Sequence, residues 1–354
     1  MKYLLVQQWP STKGNHAGME HMCDLLVQLY PQEYYKIATD HVFNIPTRRH
    51  RLTKVLFGKI DQWRYTRLFL RGYIKKCHKM FENLSTSDVV FLLEYHLFAS
   101  GQVHLARYLK KHFPKTKIIA LSHLSPSRLS QIGFNKEIIL EWEKPIDVQL
   151  TLGSSLTSYF KSIGIPTEKI RTGYHYVDHS YYQAERSRTS HSNRLKAIVI
   201  GNLQRNFKLL ATVVDKTPFI DWTICSGVIN LSESIVPQSN VIIKGYIDED
   251  SLKKLMAESD ISVNILDDTV GSNVITTSMA MGLAIIASDV GSIRDYCNQK
   301  NALFCNNSAD SFVKAITYIS QNPSQLKQMQ AESIRLSSKF NIENIHHWFQ
   351  NLFV

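Results

Sequence analysis

Three stretches of this sequence place polar residues where an open parallel sheet binds a ligand. Glu94, His96 and His123 directly follow two apolar runs, 88–93 and 117–121, that read as buried strands. Ligands in such sheets lie beyond the carboxyl ends of the strands, so His123, with His96 or Glu94, reaches one shared edge. Histidines that only cap their strands are the plainer alternative. The second stretch, Gly201-Asn202-Leu203-Gln204-Arg205-Asn206-Phe207-Lys208, follows a predicted strand at 196–200. Arg205 and Lys208 are spaced by one helical turn and so share a face. Two cations there would offset a departing diphosphate; the alternative is a pair of ordinary surface charges. In the third, a Gly271-Ser272-Asn273 turn opens an apolar, small-residue segment that contains Thr276 and Thr277 and is closed by Gly282. A buried strand at 283–287 follows, and Ser288-Asp289-Val290-Gly291 starts another helix. Helix N-termini carry unpaired N–H groups and a partial positive charge, which suits a diphosphate or sugar hydroxyls.

The elements that must hold these residues form two βα series. A strand at 3–6, a loop with Pro10, Gly14 and Gly18, and a helix at 19–29 begin the first. Gly14 and Gly18 let backbone approach a ligand with no Cβ in the way. Strands at 88–93, 117–121, 148–152 and 170–172 continue it. The stretch 182–194 is polar, charged and aperiodic, and reads as a boundary. Strands at 196–200, 223–225, 241–243 and 261–265, a helix from Asp248 to about 259, and the third stretch make the second series. Helices at about 309–320 and 325–338 follow Ser308, a predicted N-cap. The chain therefore reads as α/β, with domains at 1–182 and 193–340 and a terminal helix at 341–354.

At 354 residues there is chain enough for two cores, and 44% hydrophobic with 20% charged residues is an ordinary globular composition. No apolar run reaches the roughly 18–20 residues of a membrane span, and the N-terminus reads as a first strand rather than a signal peptide. Cys23, Cys77, Cys225, Cys297 and Cys305 are scattered and read as reduced thiols of a cytoplasmic protein. No D-x-D and no His/Cys cluster points to a metal. The net charge of +11 is concentrated, because residues 48–79 hold eleven Lys and Arg against one acid, Asp61. Trp63, Phe57, Phe69 and several Leu interleave with these bases at helical spacing, the composition of an interfacial membrane helix. The alternatives are a helix packed on the first domain with a solvated basic face, and nucleic-acid binding, for which no recognition motif is present.

The run Met279-Ala280-Met281-Gly282-Leu283-Ala284-Ile285-Ile286-Ala287-Ser288-Asp289-Val290-Gly291 resembles the donor-binding segment of glycosyltransferase family 4, retaining enzymes of the GT-B fold. That family reads A-M-A-x-G-x-P-V-x-A-S-D-x-G-G there. Ala284 stands at its proline, Asn202 at the arginine of its Gly-Arg-Leu, and Thr269 and Thr277 at its two glutamates, with Asp267 and Asp268 just out of register. The resemblance implies two Rossmann-like domains facing each other across a cleft, with the terminal helix crossing back to the first. It implies a UDP- or GDP-linked sugar donor, no metal cofactor, and retaining transfer to a saccharide acceptor. Arg205, Lys208 and the turn Gly271, Ser272, Asn273 would then stabilise the diphosphate, and Thr276 and Thr277 would hydrogen-bond ribose or sugar. His123, with His96 or Glu94, would orient the sugar, and Gly18 lies in the loop the family sets against donor phosphates and acceptor. Together with the basic segment, this implies a lipid-linked acceptor and peripheral attachment to the inner face of the cell membrane, in bacterial surface polysaccharide or lipopolysaccharide assembly. A non-catalytic GT-B partner subunit and a GT-B sugar-nucleotide epimerase are the competing functions.

Overall fold

Short apolar runs bounded by turns form twelve parallel strands among the described residues, which are 1–8, 14–39, 67, 71–72, 74–76, 78–183, 194–231, 234–236 and 238–353 of a computed structural model. Strands β1 (Lys2–Gln7), β2 (Tyr34–Thr39), β3 (Val89–Leu92), β4 (Lys117–Ser122), β5 (Val148–Thr151) and β6 (Ile170–Thr172) make one sheet. Their order is β2-β1-β3-β4-β5-β6. The second sheet holds β7 (Lys196–Ile200), β8 (Asp221–Cys225), β9 (Val241–Lys244), β10 (Ile261–Asn264), β11 (Ala284–Ser288) and β12 (Ala302–Cys305). Its order is β12-β11-β10-β7-β8-β9. Strands β2 and β12 have no counterpart in the sequence reading.

The central strands of both sheets are buried on both faces, as parallel sheets flanked by helices must be, while the edge strand β9 is partly exposed. Successive side chains feed opposite cores: Leu5, Val90, Leu92 and Ile118 enter one, and Leu4, Val6, Phe91 and Ile119 the other. Each such side chain stabilises the fold by about 1.5–3 kcal/mol. In the second sheet β7 and β10 are neighbours, and the chain winds away from them in opposite directions. The loops that follow them therefore part and leave a crevice at their carboxyl ends.

The terminal helix Ile342–Gln350 returns to the first sheet. Its Phe349 ring lies 4.6 Å from Phe91, and His346 Nδ1 is 3.0 Å from the Tyr34 hydroxyl. Tyr296 ties the two halves together, its hydroxyl donating to the Leu152 carbonyl at 2.6 Å and accepting the His175 N–H at 3.0 Å. Most of the basic segment 48–79, with Trp63 and Cys77, lies outside the described residues; within it Arg67, Arg71, Lys75, Lys76 and Lys79 are helical and exposed. No helix among the described residues is long and apolar enough to cross a membrane.

Candidate active site

A cleft of about 200 Å³ lies where the carboxyl ends of the two sheets face each other. The first domain supplies His123, Ser125 and Arg128 from the loop and helix after β4; the second supplies the loops after β7 and β10 and the start of helix Asn273–Ala280. The two second-domain loops are knitted together. The Asn206 N–H donates to Ile265 and the Asp267 N–H to Gln204, each at 3.0 Å, and Arg205 bridges to Leu266. Gln204 has a φ of 55°, a strained conformation for a side chain without glycine's freedom. Its amide donates across the cleft to Ser127 Oγ at 2.9 Å and Ser125 Oγ at 3.2 Å.

This loop half-buries Arg205 at the wall of the cleft. One nitrogen donates to Asn264 Oδ1 at 2.9 Å, while Nε has no partner. Loss of hydration alone lowers its pKa to about 10, and among the described residues no carboxylate is paired with it. A half-buried cation with spare donors and no anion is costly for the protein by itself. It is the arrangement that an incoming phosphate completes. Ser272 and Val274 bring a helix N-terminus to the same cleft, where the dipole adds to the attraction for an anion. Ser272 Oγ caps that helix by accepting from the Ile275 N–H at 3.3 Å. Gly271 sits at φ +90°, and a Cβ there would fall 2.0 Å from the Tyr296 ring. Glycine is therefore obligatory at this turn.

Opposite, His123 Nε2 is 3.5 Å from Glu94 Oε2, and its buried Nδ1 has no partner. His175 lies close by, with its own Nδ1 unpartnered. Burial, with His123 contributing and a hydrogen bond with Asn273 opposing, pushes His175 down to about 3, so it stays neutral. Asp268 also lines the cleft and accepts the Ser127 hydroxyl at 2.7 Å.

Other expected site residues are not brought to the cleft. His96 turns into the core, stacked 6.0 Å from Trp142 and edge-on to Phe134, with Nδ1 bonded to Ser122 Oγ. Burial, with His123 contributing, pushes it down to about 3. Arg205 and Lys208 do not share a helical face. Asn206 caps the helix Phe207–Asp215, so Arg205 precedes it and Lys208 is exposed on its first turn. Thr276 and Thr277 turn their hydroxyls back onto the Asn273 carbonyl, at 3.1 and 2.7 Å. Thr269 is spent likewise on the Gly271 backbone. Asn273 is half-buried beside the lining residues. Gly18 closes the turn before helix Met19–Leu29, away from the cleft. The segment after Ser288 forms only the four-residue helix Ile293–Tyr296, and Ser288 Oγ is occupied by the Leu266 N–H and Asn307. Conversely, Gln204 lines the cleft with no sequence signal, Ser127 borders it through Gln204 and Asp268, and Asp268 is marked only by its place beside the glutamate position.

Residues 195–322 match the family model described as glycosyl transferases group 1. That match covers the second domain from β7 to the end of the helix Ala309–Gln321. Around it, the whole chain has the GT-B architecture. Sucrose-phosphate synthase from Thermosynechococcus elongatus superposes with a TM-score of 0.75 at 12% identity, covering 100% of this chain and 99% of that one. Anabaena Alr3699/HepE in complex with UDP-glucose gives 0.71 at 12%, covering 99% of each. A glycosyltransferase from Rickettsia africae gives 0.67 at 13%, covering 99% and 98%. At these identities the likeness is one of fold. No curated protein matches the sequence. The matched region carries Arg205, Gly271 and Ser272, and the first domain contributes His123 from outside it.

Proposed function

We propose that this protein is a retaining, metal-independent glycosyltransferase that moves a sugar from a UDP- or GDP-sugar to a saccharide acceptor. The observation that carries the reading is the Arg205 guanidinium, half-buried beside a helix N-terminus with no anion of its own. A diphosphate in the cleft satisfies both. As the bond from sugar C1 to the diphosphate oxygen breaks, Arg205 and the N–H groups of the first helical turn take up the developing charge. The acceptor hydroxyl attacks C1 from the same face, and its proton leaves on the diphosphate. Glu94 orients His123, which lines the cleft where the sugar would lie. Asp268 takes the place of the family's first glutamate, as the carboxylate nearest that position in the cleft.

The test is to screen UDP- and GDP-sugars, UDP-glucose first, for a rise in melting temperature and for donor hydrolysis. A ligand that raises the melting temperature and is hydrolysed supports the enzyme. No shift and no hydrolysis with any nucleotide sugar rejects it. Binding without turnover would favour the non-catalytic partner subunit, a second reading that has its own support. The hydroxyls at both glutamate positions, Thr269 and Thr277, are consumed by backbone.

The acceptor we propose is lipid-linked, in surface polysaccharide or lipopolysaccharide assembly at the inner face of the cell membrane. The exposed bases Arg71, Lys75, Lys76 and Lys79 support this, since each base near an anionic surface contributes about 1 kcal/mol. Pelleting with anionic liposomes that is reduced in high salt, and abolished by Arg48, Arg49, Lys75 and Lys76 to Glu, is the expected result. Indifference to anionic liposomes removes the membrane from the reading.

A further inference from the structure

A second group of side chains gathers outside the donor cleft, where the loop after β1 meets the connector between the two sheets. His16 Nδ1 and His21 Nε2 each lie 2.8 Å from the same carboxylate oxygen, Asp178 Oδ2. The three ligand-type atoms all fall within 4.8 Å of one another. We propose that His16, His21 and Asp178 bind one divalent transition-metal ion, with Zn²⁺ preferred, that clips the first domain's loop to the interdomain connector.

The donor set decides the class of ion. Two imidazole nitrogens and one carboxylate oxygen suit Zn²⁺ and its first-row neighbours, whereas Mg²⁺ and Ca²⁺ take oxygen ligands almost throughout. Four-coordinate Zn²⁺ at about 2.0–2.1 Å from each ligand sets the donors about 3.3 Å apart. The two 2.8 Å separations need to open by about half an ångström, within the reach of small ring rotations. The ligands are already aimed. Asp178 Oδ1 accepts the Ser180 N–H at 2.9 Å and the Tyr181 N–H at 3.2 Å, which leaves Oδ2 facing the histidines. Tyr181 lies flat on His16, ring centroids 3.7 Å apart and planes 7° apart, and the Tyr176 hydroxyl holds the His16 carbonyl. Such outer contacts fix ring orientation at metal sites.

The site also has an open side. His16 and Tyr181 line a polar pocket of about 400 Å³ with Glu249 and Asp250, where a water can complete the coordination. Both histidines are partly exposed, so an ion can enter. None of the three lines the donor cleft. The proposal therefore stands whether or not that cleft takes a nucleotide sugar.

The experiment uses the full chain without an affinity tag, stripped with a chelator and titrated with Zn²⁺ by calorimetry in the presence and absence of excess Mg²⁺. One saturable Zn²⁺ per chain, undisturbed by Mg²⁺, is expected. The double variant His16→Gln/His21→Gln keeps amide donors for Asp178 but loses both imidazoles, and should bind at least about tenfold more weakly. Zn²⁺ should raise the melting temperature of the wild type and not of the variant. Co²⁺ should give a four-coordinate visible spectrum without thiolate charge transfer, consistent with the burial of Cys23, Cys225, Cys297 and Cys305. Absence of saturable Zn²⁺ binding, equal binding by the double variant, or a thiolate spectrum overturns the proposal and leaves the cluster a hydrogen-bonded hub.

Discussion

Replacing Arg205 by Met separates its cost to the fold from its use to the ligand. Loss of hydration pushes the guanidinium down to about 10 from its ordinary value, so the folded protein disfavours its charge. At about 1.4 kcal/mol per tenfold change in proton affinity, that is about 3 kcal/mol. Met removes this penalty and leaves Asn264 Oδ1 without its 2.9 Å donor, a loss of about 1 kcal/mol. The ligand-free variant is therefore expected to be more stable by about 2 kcal/mol, or about 4–8 °C in melting temperature for a domain of this size. The same change removes the charged donor to the diphosphate, which should weaken nucleotide binding by about 2–4 kcal/mol, roughly 30-fold or more. Thermal melts with and without UDP, and calorimetric titration of UDP, read both effects. A variant that melts lower than wild type yet binds UDP equally well would refute the reasoning on both counts.

Gly271→Ala drives a Cβ to 2.0 Å from a Tyr296 ring that is held at its hydroxyl by Leu152 and His175. A loss of about 3 kcal/mol or more is expected in urea denaturation, and a loss below 1 kcal/mol would mean the turn can relax. Thr277→Val removes a hydroxyl that serves only its own helix, so UDP affinity should stay within about twofold and stability within about 1 kcal/mol; a larger drop in affinity would return Thr277 to the ribose. Glu143 is buried next to neutral His96, and desolvation, opposed by Lys169, pushes its pKa up to about 8 from 4.5. The folded protein thus keeps a proton that the unfolded chain releases, and this contribution is full below 4.5 and lost as the pH rises through 8. Urea midpoints at a series of pH values should fall for wild type over that window and fall less for Glu143→Gln, by up to a few kcal/mol; parallel profiles would argue against the raised value.

What the sequence determined by itself is the set of elements with a one-sided or two-sided apolar pattern. Runs such as 118–121 and 197–200 are apolar at every position because both faces of the sheet are covered, and the helix Met19–Leu29 shows its buried face at helical spacing. The turn at Gly271 was legible too, because Gly271 answers a steric demand confined to a few residues. Strand β2 escaped notice because its outer positions carry Tyr35 and Lys36, which dilute the pattern. Local chemistry also competed: Asn206 is a strong cap, and by starting the helix at Phe207 it separated Arg205 from Lys208. Tertiary structure alone decided the rest. Whether the chain after β3 turns His96 outward or into the core depends on Phe134 and Trp142, dozens of residues away. Asp178 meets His16 and His21 across 162 and 157 residues because the strands are all parallel, so the loop after β1 and the connector after β6 leave the same end of the sheet. Local pattern encodes which face of an element is apolar, and it carries no information on which distant element will cover that face or share a ligand with it.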